Sequence, residues 1–573
     1  MLTKLIIRNF KKFKNAEIEL GSPVVFIGPN NSGKTAALQA LALWEIGLRR
    51  WNEKRTGKAT PEKRPGVTIN RGDLIAVPVP DADLLWHDLH VRDVQRQDGQ
   101  QQTKNVRIDI VVEGVTEGKL WTCGLEFDYA NEESLYCRPL RLSEAKNPDR
   151  MAIPEQARAV HVAFLPPMSG LAAKETRLDV GAINVRLGEG RTAEVLRNLC
   201  YLIRNEKGEH SWELVCKRIR DLFGVELDAP WYVPVTGEIE MTYRDLSGAR
   251  LDLTASGRGL QQTLLLLAHL VVNRDSVLLL DEPDAHLEIL RQRQTYQLLT
   301  EVAREQGSQV IAASHSEVVL DEAADRDVVV AFVGKPHRID DRGSQLLKSL
   351  REIGFEHYYQ AEETGWVLYL EGATDLAILR AFADTLGHPA ASRLERPFVH
   401  YVMNQPNKAW EHFYGLREAK SDLFGFALFD RLEQMLQVRP GLRQYTWKRR
   451  EIENYLCDQH TLVAYAEAVG KELGGGPLFQ PSGVMQQCIQ DYVPPVALRD
   501  PTDRWWMDTK ASDDFLDRLF RAFFEKLGLP NLMSKTDYHT LARHVSRDRL
   551  DSEVATVLDQ IAEVSNQAQP ADQ

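Results

Sequence analysis

Gly28-Pro29-Asn30-Asn31-Ser32-Gly33-Lys34-Thr35 follows an apolar run, Val24 to Ile27, and leads into a helical stretch that begins near Ala36. The stretch satisfies G-x-x-x-x-G-K-[ST] between a strand and a helix, the setting in which that pattern cradles phosphates. Gly28 and Gly33 let the backbone curl until the N–H groups of Asn30, Asn31, Ser32 and Gly33 point inward at a triphosphate. The following helix adds its positive end. Lys34 is expected to bridge the β- and γ-phosphates, and the Thr35 hydroxyl to take one position on Mg²⁺. The fold class this predicts is α/β.

A second stretch completes that reading. Ser276-Val277-Leu278-Leu279-Leu280-Asp281-Glu282-Pro283 is a continuous apolar run that closes on two carboxylates. Such a run suits a parallel strand buried on both faces, with its acids at the carboxyl end, where open α/β sheets bind ligands. Asp281 is expected to hold Mg²⁺ and Glu282 to orient or polarise an attacking water.

The chain has 573 residues, enough for two to four domains, and 43% hydrophobic residues, enough for sizeable cores. A formal charge of −12 rules out a blanket basic field, so any nucleic-acid contact must come from local patches. Cys123, Cys137, Cys200, Cys216, Cys457 and Cys488 show no C-x-x-C spacing, against a zinc ribbon or a disulfide framework. They read as reduced thiols of a cytoplasmic protein. No signal core follows Met1, and no stretch approaches the roughly 18 apolar residues of a membrane span.

Leu2 to Phe10 alternates like a strand, and Ala16 to Leu20 follows as a second. Lys11, Lys12 and Lys14 lie between them, as phosphate contacts or as a solvated turn. This opening, "IIRNFKKFKNAEIEL", resembles that of ABC-type ATPases of the SMC, RecF and OLD kind. Two polar tracts, Lys54 to Pro65 and Gln95 to Lys104, read as surface loops beside strands at Val106 to Val112 and Leu120 to Phe127. Ala159 to Leu165 reads as another strand. From Arg191 to Phe223 the spacing turns helical, with Val195, Leu196, Leu199, Leu202, Ile203, Leu214, Ile219 and Leu222 as core. Residues 36–245 thus read as a β-rich lobe with a helical insertion.

Ser256-Gly257-Arg258-Gly259 precedes an apolar helix from Thr263 to Val272. It resembles the ABC signature, in which a Ser and two glycines contact the γ-phosphate held by the opposite subunit. Exposed N–H groups, a hydroxyl and a helix dipole all favour an anion there. Asp284-Ala285-His286-Leu287 resembles the D-loop of the same ATPases, and His315, after the strand Gln309 to Ala312, their switch histidine. No match to the Q-loop glutamine is found. The resemblance implies ATP sandwiched between two heads, hence a homodimer or higher oligomer whose closure is the switch. No long heptad array separates the two halves, so the chain is not a full SMC-type protein.

Beyond a connector at 336–365, Trp366 to Leu370 is an apolar strand followed by Glu371-Gly372-Ala373-Thr374-Asp375. This resembles the Toprim domain of OLD-family nucleases, the group that includes Gabija-type defence nucleases. There Glu371 and Asp375 imply hard oxygen ligands for Mg²⁺ or Mn²⁺. Toprim nucleases add D-x-D after a later strand. Here Phe424 to Phe429 ends in Asp430-Arg431-Leu432-Glu433, with Leu432 in the place of the second acid. Either Glu433 substitutes from a following helical turn, or the second metal is lost. Glu451 and Glu453, in Glu451-Ile452-Glu453-Asn454-Tyr455-Leu456, either complete a metal site or pair with Lys448, Arg449 and Arg450.

The domain reading is therefore an ABC-type ATPase head at 1–335, a Toprim-like domain at 366–460 and a helical region at 461–573. In the last, Gly474 to Pro477 is a break, Phe515, Leu516, Leu519, Phe520, Phe523 and Phe524 form an apolar stripe, and Arg504-Trp505-Trp506 pack on the core or stack on a base. Lys510 and Lys535 are candidate DNA contacts. The resemblance implies an ATP-regulated, metal-dependent DNA endonuclease of bacterial anti-phage defence. The alternatives are an ATPase scaffold or sensor whose Toprim-like part is degenerate and which holds a separate effector or meets a phage trigger, and a RecF-like repair ATPase.

Overall fold

The computed structural model describes residues 1–55, 66–97, 100–143, 148–324, 326–339, 354–472 and 480–570. The chain is mixed α/β and divides into two compact units, Met1–Leu347 and Lys348–Gln573.

In the first unit the loop strand, Val24–Ile27, lies inside a six-stranded sheet. The order is Val162–Leu165, Val277–Asp281, Gln309–Ser314, Val24–Ile27, Val328–Ala331 and His337–Arg338. All neighbours are parallel except the last pair. Alternation divides the central strands between two cores: Val277, Leu279, Ile311 and Ala313 join one, Leu278, Leu280, Val310 and Ala312 the other. Burial on both faces explains the unbroken apolar runs in the sequence. The helix Lys34–Arg55 is apolar on nearly every side because it packs between this sheet and a second, antiparallel one. The order of that second sheet is Phe13–Glu19, Leu2–Phe10, Ile108–Thr116, Lys119–Asn131, Ser134–Pro139 and Val67–Asn70. Helices Arg258–Val272 and Ile289–Glu305 cover the other face of the parallel sheet.

A buried charge network marks the antiparallel sheet. Glu126, 0% exposed, accepts from Arg138 Nε at 2.5 Å and Arg141 Nη1 at 3.0 Å, and pairs with Arg150 Nη1 at 2.6 Å. Burial alone would raise its pKa, but Arg150, Arg138 and Arg141 pull it down to about 2.

Three readings of this unit need correction. Gln95 to Lys104 is not a plain loop: Arg92–Gln97 and Gln100–Asn105 pair as a hairpin, backbone pairing overriding a polar composition. Leu214 is 38% exposed, on the outer face of helix Glu209–Phe223, while Val195, Leu196, Leu199, Leu202, Ile203 and Ile219 are buried. The polar tract at 54–65 lies mostly outside the described residues; Lys54 and Arg55 end the first helix.

The second unit is built on a four-stranded parallel sheet ordered Val399–Tyr401, Trp366–Leu370, Phe424–Phe429 and Leu442–Thr446. Within the expected connector, His337–Arg338 forms a strand of the first unit and Phe355–Thr364 a helix of the second; 340–353 lie outside the described residues. Among the described residues of 461–570 no separate core forms. One cluster joins Trp366, Leu368 and Leu370 of the sheet to the stripe Phe515, Leu516, Leu519, Phe520, Phe523 and Phe524 and to Val564. Trp506 packs in it and donates from Nε1 to Ala497 O at 2.9 Å. The Gly474 to Pro477 break lies outside the described residues. Among those residues no helix is long and apolar enough to cross a membrane, and all six cysteines are free.

Candidate functional site

The first unit gathers one constellation at the carboxyl ends of its parallel strands. Close approach dictates both loop glycines: a Cβ on Gly28 would stand 2.7 Å from Phe332 O, and one on Gly33 would stand 2.8 Å from Phe13 Cζ. Gly33 also sits at φ +105°, which side-chain-bearing residues avoid. Lys34 folds back over the loop, its Nζ donating to Gly28 O at 2.6 Å and Pro29 O at 2.9 Å. Burial pushes its pKa down, against the pull of Asp281, Glu282 and Asp284. Asn30 and Asn31 are exposed, and Lys12 Nζ donates to the Asn31 carbonyl. Lys11 turns away to Gln39, and burial brings its pKa down to about 8.

Parallel pairing through Gln309–Ser314 sets the carboxylate strand two places from the loop strand. Thr35 Oγ1 therefore donates to Asp281, at 2.9 Å from Oδ2 and 3.1 Å from Oδ1. Burial is the main force raising Asp281 to about 6, aided by Glu282 and Asp284 and opposed by Thr35 and Lys34. Glu282 stands at φ +49° with its N–H donating to Ala313 O at 2.9 Å, and its Oε1 is 3.8 Å from His315 Nδ1. Asp284 belongs to the same group, although the sequence marked it only as part of a D-loop-like segment. It is 4% exposed, burial raises its pKa, and Ser314 and His315 oppose that.

Among the described residues the buried atoms Ser32 Oγ and Asp284 Oδ1 have no hydrogen-bond partner. A glycine cradle, an orphaned hydroxyl, a folded-back ammonium and a Thr–Asp pair fit a nucleoside triphosphate with Mg²⁺.

Ser256, Gly257 and Gly259 form a separate group. Ser256 Oγ donates to Leu253 O at 2.7 Å, and Gly257 caps the helix Arg258–Val272. Together with His286, Glu288 and Arg291 they line a cavity of about 630 Å³. Among the described residues no hydrogen bond joins them to the 28–35 loop.

The second unit gathers acids in the same way. Glu371 ends the strand Trp366–Leu370, and Asp430 ends its parallel neighbour Phe424–Phe429. Asp375 Oδ2 accepts from the N–H of Glu371 at 3.0 Å and of Gly372 at 3.4 Å, which fixes the strand-to-helix turn. Burial raises Asp375 to about 6, with Glu371 adding to it. Asp430 is pushed far up by burial first, then by its hydrogen bond to Glu371 and by Glu371, Asp375 and Glu451. Glu451 and Glu453, 4% and 8% exposed, enter on the short turn Ile452–Tyr455. Burial raises Glu453 to about 8, with Glu451, Asp375 and Glu371 contributing. Burial also raises Glu451, against hydrogen bonds from Ser512.

Five acids thus act on one another: Glu371, Asp375, Asp430, Glu451 and Glu453. Burial and mutual repulsion raise Asp375, Asp430 and Glu453, and their hard oxygens are of the kind that suits Mg²⁺ or Mn²⁺, although no three of the five acids bring ligand oxygens within 4.8 Å of one another. The turn that brings in the two glutamates is held from far along the chain. Asn454 Oδ1 accepts from Glu451 N at 3.0 Å, and its Nδ2 donates to Trp506 O and Thr509 O at 3.0 and 2.9 Å. Arg449 pairs with Asp551 at 2.9 Å rather than with either glutamate. Lys510 pairs with Asp513 at 2.6 Å and is also drawn by Glu451 and Glu371; Lys535 pairs with the same Asp513.

Glu433 departs from expectation. No helix follows Asp430; Glu433 is exposed in a bend. Thr446 is the cause: its Oγ1 donates to Asp430 O at 2.8 Å and accepts from Leu432 N at 3.1 Å, so the chain stays extended.

Two family models match the chain: an AAA ATPase domain over residues 1–45, and an AAA domain described as a putative AbiEii toxin of a type IV toxin–antitoxin system over residues 217–321. Similar solved structures include the SMC head domain from Thermotoga maritima, at 15% identity and a TM-score of 0.32, covering 59% of this chain and 98% of that one. Another is the Smc head domain with an extended coiled coil, bound to the C-terminal domain of ScpA, from Pyrococcus furiosus. It matches at 14% identity and a TM-score of 0.34, covering 61% of this chain and 99% of that one. No curated protein matches the chain. The matched segments contain the Gly28–Thr35 loop and the Asp281–Glu282 strand end, and the first unit carries an ATPase domain of the AAA type.

Proposed function

We propose that this chain is an OLD-like, ATP-regulated, metal-dependent DNA endonuclease of bacterial anti-phage defence. The observation that carries the reading is that Glu371 and Asp430, after neighbouring parallel strands, act electrostatically with Asp375, Glu451 and Glu453, in the same chain as an ATPase domain. In this reading 1–335 is the ATPase head and 366–460 a Toprim-like domain that the helical region 461–573 completes.

In the head, Lys34 and the N–H groups of Asn30 to Thr35 hold the phosphates, while Thr35 and Asp281 would hold Mg²⁺, which would neutralise phosphate charge. Glu282 orients the attacking water and takes its proton, and His315, beside it, senses the γ-phosphate. Ser256, Gly257 and Gly259 face the nucleotide of a second copy, so the working form is a homodimer or larger. In the second unit these acids would hold Mg²⁺ or Mn²⁺, which would supply Lewis acidity at a phosphodiester. Lys510 meets the DNA phosphate.

Leu432 favours a second reading, an ATPase scaffold whose metal site is degenerate and which controls a separate effector. One experiment separates them: plasmid and linear DNA incubated with the protein and Mg²⁺ or Mn²⁺, with and without ATP, beside Glu371→Ala. Cutting that Glu371→Ala abolishes supports the nuclease. ATP turnover without cutting under any of these conditions overturns it in favour of the scaffold.

A further inference from the structure

On the second unit's sheet, alternation sends Trp366, Leu368 and Leu370 into the large core and leaves Tyr369 on the opposite face. His400, opposite Tyr369 in the parallel pairing, joins it there. Helices Phe355–Thr364 and Pro406–Ala419 bring His357 and His412 to these two residues. One ring nitrogen from each of His357, His400 and His412 lies within 4.8 Å of the others, and among the described residues no other such group of potential ligands occurs.

The His357–His412 pair is near metal-ligand spacing, while the His400 ring has to tilt out of its stack on His412 before its nitrogen can aim at a shared ion, because an ion lies in the plane of each imidazole it binds. His357 Nδ1 and His412 Nε2 are 2.9 Å apart, and the His400 ring stacks on that of His412 at 3.9 Å and 5°. Two nitrogens on a tetrahedral ion with bonds of about 2.0–2.1 Å are about 3.3 Å apart, so the pair need open by only a few tenths of an ångström. Tyr369 Oη, fully buried, lies 2.9 Å from His412 Nδ1. A partner on the far ring nitrogen is what fixes the tautomer and aim of a ligating histidine. Phe398 and Tyr369 wall the cluster with aromatic edges. Imidazoles without a carboxylate among them select zinc-class ions over Mg²⁺.

We propose that His357, His400 and His412 bind a zinc-class divalent cation, separate from the acidic cluster, that clamps the two helices to the sheet. The inference stands independently of nuclease activity.

The test uses full-length protein stripped with a chelator. Zn²⁺ is titrated in competition with a chromogenic chelator, Co²⁺ serves as a spectroscopic probe, and Mg²⁺ is present throughout. The wild type should take up about one tight equivalent and show the visible bands of Co²⁺ in a four-coordinate nitrogen site. His400→Ala should bind at least about 100-fold more weakly, and Glu453→Gln should bind as the wild type does. Wild-type protein without tight Zn²⁺ uptake, or His400→Ala with unchanged uptake, overturns the proposal. If His400→Ala does not fold, the wild-type Co²⁺ spectrum decides: nitrogen-site bands support the centre, and a pale six-coordinate oxygen spectrum refutes it.

Discussion

Raising the pH of metal-free protein from about 4 to about 9 should destabilise the second unit, the reverse of the usual behaviour of surface acids. Glu453 has an ordinary value of 4.5 and is raised to about 8, burial being the largest cause. The folded state therefore binds its proton more tightly than the unfolded state does. Below about pH 4 both states are protonated and nothing is lost. Between about 4.5 and about 8 the unfolded state ionises while the folded state keeps its proton, so stability falls, and above about 8 both ionise and the loss levels off. The shift of 8 − 4.5 units, at 1.36 kcal/mol each, sets this group's share at roughly 5 kcal/mol at most. For a unit of this size that is a fall in melting temperature on the order of 10–20 °C. The assay is calorimetry in EDTA across the pH range, comparing wild type with Glu453→Gln. The variant lacks the titrating proton, so its profile should be flatter, and Mg²⁺ or Mn²⁺ should restore more stability to wild type at high pH than at low. An identical pH slope in Glu453→Gln and wild type would refute the reasoning, because burial among other acids would then not be what holds the proton.

Lys34→Ala should lower ATP turnover by about 100-fold or more, and Glu282→Gln should do so while nucleotide binding, followed with a fluorescent analogue, is preserved. Unaltered turnover in both would overturn the site. Ser256→Arg should suppress turnover without weakening ATP binding, since that serine belongs to a group apart from the loop; normal steady-state turnover would count against a composite site. Glu126→Ala should cost the first unit about 3–5 kcal/mol by leaving Arg138, Arg141 and Arg150 without their shared carboxylate, seen as a lowered melting temperature.

What could be read from the sequence was what a local pattern encodes. The 28–35 loop and the three carboxylate-ended strands combine an apolar run with a turn, and they lie where the pattern put them. The helical turn expected at Glu433 is absent because the conformation after Asp430 is set by the Thr446 side chain, at the end of the next strand and adjacent in space. The burial of Glu451 and Glu453 was invisible because it depends on Ser512, Trp506 and Thr509. Leu214 fell on the wrong side of an amphipathic helix, where a single apolar residue carries little directional information. The three histidines gave no signal at all. They come from two helices and a strand, and only the sheet register aligns one of them with Tyr369.

The two acidic sites solve one electrostatic problem differently. Around Asp281, Glu282 and Asp284 the protein supplies its own cation, Lys34, whose charge those acids help to hold against burial. Around Glu371, Asp375, Asp430, Glu451 and Glu453 the nearby lysine, Lys510, is already engaged by Asp513 and sits at the half-exposed rim. Its pull on the cluster is screened by solvent. Neutrality there has to come from bound protons or from a divalent ion, and the raised pKa values of Asp375, Asp430 and Glu453 are the proton solution. A metal ion entering the cluster must displace those protons, so its affinity should climb with pH, and more steeply than at the nucleotide site, where Lys34 has already offset part of the charge.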